Sequence, residues 1–162
     1  MSKPNLIDQR LEQLGIKLSH KNGLQGRALI PIQQHGRLIY TSGFGPTDEK
    51  GVPLWTGRVG SDLTLEEGYQ AARVCGIVIL GQLQAFLGSL DRIDGIVKVL
   101  GLVSSAPDFY QQPQVMHGFS DLMIDLFGEH GKHTRSAMGT FVLPNNIPVE
   151  IEAIFSLKQE EE

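Results

Sequence analysis

Arg135, Glu150 and Glu152 are the residues of this chain whose types and spacing point most directly to chemistry on a small ligand. A guanidinium is a planar fork that holds a carboxylate through two charge-assisted hydrogen bonds. Val149, Ile151, Ala153 and Phe155 alternate with Glu150, Glu152, Ile154 and Ser156, so in a strand both carboxylates point to one face. A solvated sheet face would explain them, whereas a covered face would oblige each to find donors or a function. Arg135 opens the preceding strand. On spacing alone, an ordinary Arg–Glu pair between neighbouring strands accounts for it better than ligand binding does.

Other candidates are weaker. His130 and His133 form an H-x-x-H, but within a Gly-Glu-His-Gly-Lys-His turn rather than on a helix face, and no Cys or nearby Asp completes a set of zinc ligands. No metal is expected. Gly43-Phe44-Gly45 lacks the spacing of a dinucleotide fingerprint, and no Gly-Lys-Ser/Thr occurs, so no cofactor is expected either. Ser42 lacks the Gly-x-Ser-x-Gly elbow of a hydrolase nucleophile. Cys75, the only cysteine, lies among Ala71, Ala72, Val78 and Ile79 and reads as a buried, inert thiol. His20, His35 and His117 have no visible partner and read as surface or turn residues.

The elements that must position these groups follow from periodicity and punctuation. Leu6, Ile7, Leu11 and Leu14 make one helical stripe between Asn5 and Leu14, and Lys17 to Gly26 reads as a linker. Ala28–Gln33 and Arg37–Ser42 flank Gln34-His35-Gly36 as a β-hairpin. A long loop with five glycines runs from Gly43 to Ser61. Thr64-Leu-Glu-Glu67 matches a capping box, predicting a helix to about Leu87 with Leu65, Tyr69, Ala72, Gly76, Ile79, Leu83 and Phe86 on its apolar face and Gly88 at its end. Ile96–Val103 is a third strand, and a second core helix from about Val115 to Phe127 carries Met116, Phe119, Met123 and Phe127. Arg135–Leu143 and Val149–Ser156 are read as a closing pair of strands around Pro144-Asn145-Asn146.

The expected order is β-β-α-β-α-β-β after one extra helix, an α+β domain with two helices on one sheet face. In the third strand Val97, Val99 and Val103 fall on one side and Ile96, Leu100 and Leu102 on the other, with Lys98 the lone charge. A strand apolar on both sides is buried on both. The second cover is expected to be another copy of the chain.

Length and composition fit one domain over 1–162, with 1–27 a helix and linker and 157–162 an acidic tail. Charged residues make up 20% and hydrophobic residues 41%, the balance of a folded, soluble protein. Glu160, Glu161 and Glu162 supply three of 18 acids against 14 basic side chains, so the rest of the chain is nearly neutral. That excludes the electrostatic footprint of a nucleic-acid binder. No basic segment followed by an apolar run opens the chain, and no window approaches the length of apolar residues a membrane helix needs. A cytoplasmic location is the default.

Three stretches together resemble the RidA/YjgF family: Gly36-Arg-Leu-Ile-Tyr-Thr-Ser-Gly43, Asp94-Gly-Ile-Val-Lys-Val-Leu-Gly-Leu-Val103, and Arg135-Ser-Ala through Leu143-Pro144 to Val149-Glu-Ile-Glu-Ala-Ile154. The resemblance spans about Ala28 to Ser156, and the extra N-terminal helix and Gly57–Leu63 mark a divergent subgroup. It implies a chorismate-mutase-like fold and a homotrimer whose sheets form a central barrel, with a ligand cleft at each subunit boundary. It further implies that Arg135 holds the carboxylate of a 2-imino acid and Glu150 positions a water, so that the imine is hydrolysed to a 2-keto acid and ammonia without metal or cofactor. Ser42, Gly43 and Ala137 would help line the pocket. Leu29 stands where the deaminases commonly have a Tyr, Ala137 where a Cys is frequent, and Ser120 near a recurrent Asn. A non-catalytic trimer that binds a small carboxylate or a partner is the alternative; ribonuclease action, a label some relatives carry, fits the composition least.

Overall fold

The computed structural model describes residues 6–19 and 28–159 of the chain. Most of the expected linker, with His20, and Glu160 to Glu162 lie outside the described residues. Helix α1 (Leu6–Gln13) is followed by β1 (Ile32–His35), β2 (Leu38–Thr41), α2 (Leu65–Leu87), β3 (Ile93–Ser104), α3 (Gln112–Phe127), β4 (Thr134–Thr140) and β5 (Val149–Leu157). They form an α+β fold with one mixed five-stranded sheet in the order β1-β2-β5-β3-β4.

The hairpin turns one residue later than expected. Gln34 and His35 belong to β1 and pair with Ile39 and Leu38, which leaves Gly36, at φ +59°, and Arg37 as the two-residue turn. The closing pair of strands does not exist. β3 lies between β4 and β5, antiparallel to β5 and parallel to β4, because α3 carries the chain back across the sheet so that β4 starts at the same end as β3. The eight residues from Phe141 to Pro148, with a 3-10 turn at Pro144–Asn146, then step over β3. Leu157, expected in the tail, is a buried residue of β5.

Thr64 caps α2 as expected: its hydroxyl accepts from the Glu67 N–H, and the Glu67 carboxylate accepts from the Thr64 N–H at 2.8 Å, an arrangement worth about 1 kcal/mol. One side of α2 is buried through Ala72, Cys75, Ile79 and Leu83, but Phe86 is 48% exposed rather than part of that face. Met116, Phe119, Met123 and Phe127 of α3 are all buried, as their spacing predicts. The two helices touch backbone to backbone at Gly118, where a Cβ would lie 1.9 Å from the Tyr69 carbonyl oxygen. No other residue permits that approach. α2 also has an eighteen-residue stretch of mean hydropathy 1.3, long and apolar enough by composition to cross a membrane, where no such window was expected. Its charges are confined to Glu66, Glu67 and Arg73, and half of the stretch is buried within the fold, the pattern of a core helix.

β3 departs from simple alternation. Ile96 pairs with Phe155 but Lys98 with Ile154, an irregularity that slips the register by one residue. Ile96 is therefore buried on the same side as Val99 and Val103, while Val97 turns outward at 42% exposure. The helix-free face holds Tyr40, Ile154, Leu100, Leu102 and Met138 beside Glu150 and Glu152. α1 is part of the body: Ile7 and Leu11 are buried, and the Leu6 and Ile7 N–H groups donate to the two Asp91 carboxylate oxygens at 2.8 and 3.0 Å, satisfying amides that a helix start leaves free.

Candidate functional site

The structure sorts the expected site residues into two groups on opposite faces of the sheet. Leu29, Ser42, Gly43 and Glu150 line one cavity of about 810 Å³ together with Gln82 and Glu152. It opens between the start of the long loop, β5 and the exposed side of α2. The loop is held by pairing of Phe44 with Ile151 in β5 and of Val59 with Ser105, and it contributes Asp48 and Glu49 to the cavity wall. α1 contributes nothing to this wall.

Glu150 alternates with the buried Val149 and Ile151 and so points to the helix-free face, half-buried. Burial raises its carboxyl above the usual range, and the charge of Glu152 raises it further. No described residue donates a hydrogen bond to it. Gly43 fits over it closely: a Cβ at position 43 would come within 3.0 Å of the Glu150 Cδ. The Ser42 hydroxyl is spent on the Ile30 carbonyl at 2.7 Å and its N–H on Pro31 at 2.9 Å. The Gly43 N–H has no partner among the described residues. Leu29, 60% exposed, gives the cavity an apolar rim.

Arg135 belongs to the other group. Its neighbour across the ladder is the buried Val99, which places it on the helix side of edge strand β4. There Nη1 donates to Ser120 Oγ at 2.9 Å and Nη2 to the Pro113 carbonyl at 3.2 Å, both in α3. His117 Nδ1 lies 3.4 Å from Nη1, so this histidine is not the partnerless surface residue it looked to be. Partial burial lowers the Arg135 pKa, offset by the charge of Asp121, yet a guanidinium stays cationic. Asp121 itself accepts from the Tyr69 hydroxyl. Arg135 has no ion-pair partner among the described residues, and the expected Arg–Glu pair is absent because a whole strand separates β4 from β5. Ala137 lies on the same face as Arg135, paired with Gly101.

His133 was missed as part of this group. Its Nε2 lies 2.9 Å from Ser120 Oγ and its Nδ1 2.7 Å from the Gly131 carbonyl. The signal was available: it precedes Arg135 by two residues, the spacing that puts side chains on one face of an extended chain. Burial pushes the imidazole below its ordinary range, and the charge of Arg135 adds to this against the Gly131 hydrogen bond. His130 instead faces Asp94 at 3.9 Å. Among the described residues no group of three or more His, Cys, Asp or Glu could hold a metal ion. Cys75 is fully buried, its thiol raised well above the usual value by burial and then by the charge of Glu150.

A mixed five-stranded sheet backed by two helices, with a half-buried carboxylate lining a cavity and a guanidinium without an ion-pair partner among the described residues on edge strand β4, defines a small α+β domain. Residues 9–155 match the sequence family described as "YjgF/chorismate_mutase-like, putative endoribonuclease". The chain belongs to this RidA/YjgF family. It is 38% identical over 152 residues to Protein TCP17 of Trypanosoma cruzi, covering 93% of this chain and 94% of that one. The solved structure of Atu1372 from Agrobacterium tumefaciens, a protein of unknown function, is 36% identical over 94% of this chain and 93% of its own, with a TM-score of 0.86. An endoribonuclease-like protein from Shewanella oneidensis MR-1 is 30% identical over 94% of this chain and the whole of its own, with a TM-score of 0.89.

Proposed function

We propose that the protein is a cyclic homotrimer that hydrolyses small 2-imino carboxylates to 2-keto acids and ammonia in clefts between its subunits. The observation that carries this reading is the pair of orphans: among the described residues Glu150 is half-buried without a donor and Arg135 half-buried without an ion-pair partner, on opposite faces of one sheet. Arg135 has only the more distant charge of Asp121, and partly desolvated charges need partners. If the edge of β4 in one copy meets the Gly43–Glu150 cavity of the next, each copy lends its Arg135 and receives another. Such a head-to-tail contact closes as a ring. The apolar residues of the helix-free face, Tyr40, Leu100, Leu102 and Met138, give that ring a surface to bury.

In the closed cleft Arg135 fixes the substrate carboxylate, the Gly43 N–H is free to donate to a substrate oxygen or a water, and Glu150 takes a proton from the attacking water. The raised pKa of Glu150 makes it a stronger base than an ordinary carboxylate, which suits a group that must accept a proton and return it. Water adds to the imine carbon, and the carbinolamine collapses with loss of ammonia. No metal or cofactor is required by this route. Endoribonuclease action is disfavoured because Asp48, Glu49, Glu150 and Glu152 line the cavity with no Lys or Arg among the described lining residues, an arrangement that repels a phosphate chain. The test is ammonia release from freshly generated 2-imino acids. Faster release than in the buffer control is expected. Carboxylate binding without any acceleration would convert the reading to a non-catalytic binding trimer.

A further inference from the structure

We infer that His133 is a positioning residue that sets the direction of the Arg135 guanidinium through Ser120. The inference rests on the reading of Arg135 as the carboxylate anchor, and it assigns a role to a residue that never touches the ligand.

The hydrogen-bond directions follow from the partners. The Gly131 carbonyl can only accept, so His133 Nδ1 carries the proton and donates at 2.7 Å. Burial favours the neutral imidazole, and in that form Nε2 is bare and can only accept, so the hydrogen bond of 2.9 Å comes from the Ser120 hydroxyl. With its proton committed, Ser120 Oγ presents lone pairs to Arg135, whose Nη1 donates at 2.9 Å. The chain Arg135, Ser120, His133, Gly131 is thus ordered from end to end, with every proton assigned. The Phe119 ring meets His133 edge-on, with centroids 5.8 Å apart, and holds the imidazole in plane. An arginine on an edge strand would otherwise sweep a wide cone, and a ligand would have to immobilise it. Here one nitrogen of the fork is tied to α3 by Ser120 and the other by Pro113. Pre-ordering of this kind raises affinity by removing entropy loss on binding.

A histidine kept there only for packing would tolerate phenylalanine, which preserves the ring and its contact with Phe119. Two readouts separate the cases. The first is rotation of the Arg135 guanidinium in the ligand-free protein, followed by 15N NMR. It should be slow in wild type, about tenfold faster in His133→Phe and in Ser120→Ala, and slow again in His133→Gln, whose amide oxygen can accept from Ser120. The second is titration with pyruvate, a simple 2-oxo carboxylate. Kd should rise about fivefold to tenfold in either single variant, and the double variant Ser120→Ala/His133→Phe should be no worse than Ser120→Ala alone, as members of one chain are not additive. Unchanged Arg135 motion in His133→Phe, in a protein that melts as wild type does, overturns the inference; so does an additive double variant. If Arg135 motion responds as expected while wild type fails to bind pyruvate, the positioning role stands and the assignment of Arg135 as carboxylate anchor falls.

Discussion

If Arg135 and Glu150 of different subunits build each cleft, two inactive variants should rescue one another. Arg135→Ala removes charge-assisted hydrogen bonds to the substrate carboxylate, and Glu150→Gln removes the base; each alone should lower turnover by about a hundredfold or more. Unfolding and refolding an equal mixture scrambles the subunits. About three quarters of the resulting trimers contain both variants, and each of these has one cleft in three where an intact Arg135 faces an intact Glu150. Recovery should therefore reach about a quarter of wild-type turnover, against about a hundredth for either parent. The fraction is set by geometry alone, since Arg135 points toward α3 and Glu150 toward the opposite face. The assay is ammonia release, with each variant refolded separately as control. A mixture no more active than its parents would show that both groups act from one chain and would refute the opposite-face reasoning.

Further outcomes can be checked on the same material. Light scattering should report a trimer, and a stable monomer of 17.8 kDa at micromolar concentration would remove the cleft. Arg135→Lys keeps the charge but loses the fork, so pyruvate affinity should fall about tenfold, and less than in Arg135→Ala; equal affinities would show that charge alone binds. Burial raises the Glu150 pKa, so the native protein holds that proton more tightly than the unfolded chain. The associated stability is present below the ordinary carboxylate pKa and lost as pH rises through the raised value, so Glu150→Gln should melt higher than wild type at pH 7 while losing turnover. Asp91→Ala removes the acceptor of two α1 amides and should cost about 1 kcal/mol, a few degrees in melting temperature, without changing turnover; a loss of turnover would mean that α1 reaches the cleft. Prolonged treatment with a chelator should leave turnover unchanged, and restoration by a defined metal after loss would contradict the mechanism.

Local chemistry made much of this chain legible from its residues. Thr64 and Glu67 declare the start of α2 and Gly88 its end, because capping groups act within one helical turn. The stripe from Met116 to Phe127 declares α3, and the alternation from Val149 to Phe155 declares β5 and puts both carboxylates on one face. Arg135 and Glu150 also stood out by type and pattern. What the residues do not carry is which strands are neighbours. Arg135 and Glu150 lie close in sequence, so a hairpin joining them looked natural, yet α3 returns the chain parallel to β3 and a full strand intervenes. The slip at Ile96–Lys98 likewise depends on the partner strand, since a bulge is a relation between two backbones. His133 and Ser120 are thirteen residues apart and meet only because α3 folds back over β4. The separation of the two orphan charges, from which the proposed trimeric cleft follows, is a property of long-range pairing, and pairing is decided when the whole sheet is assembled.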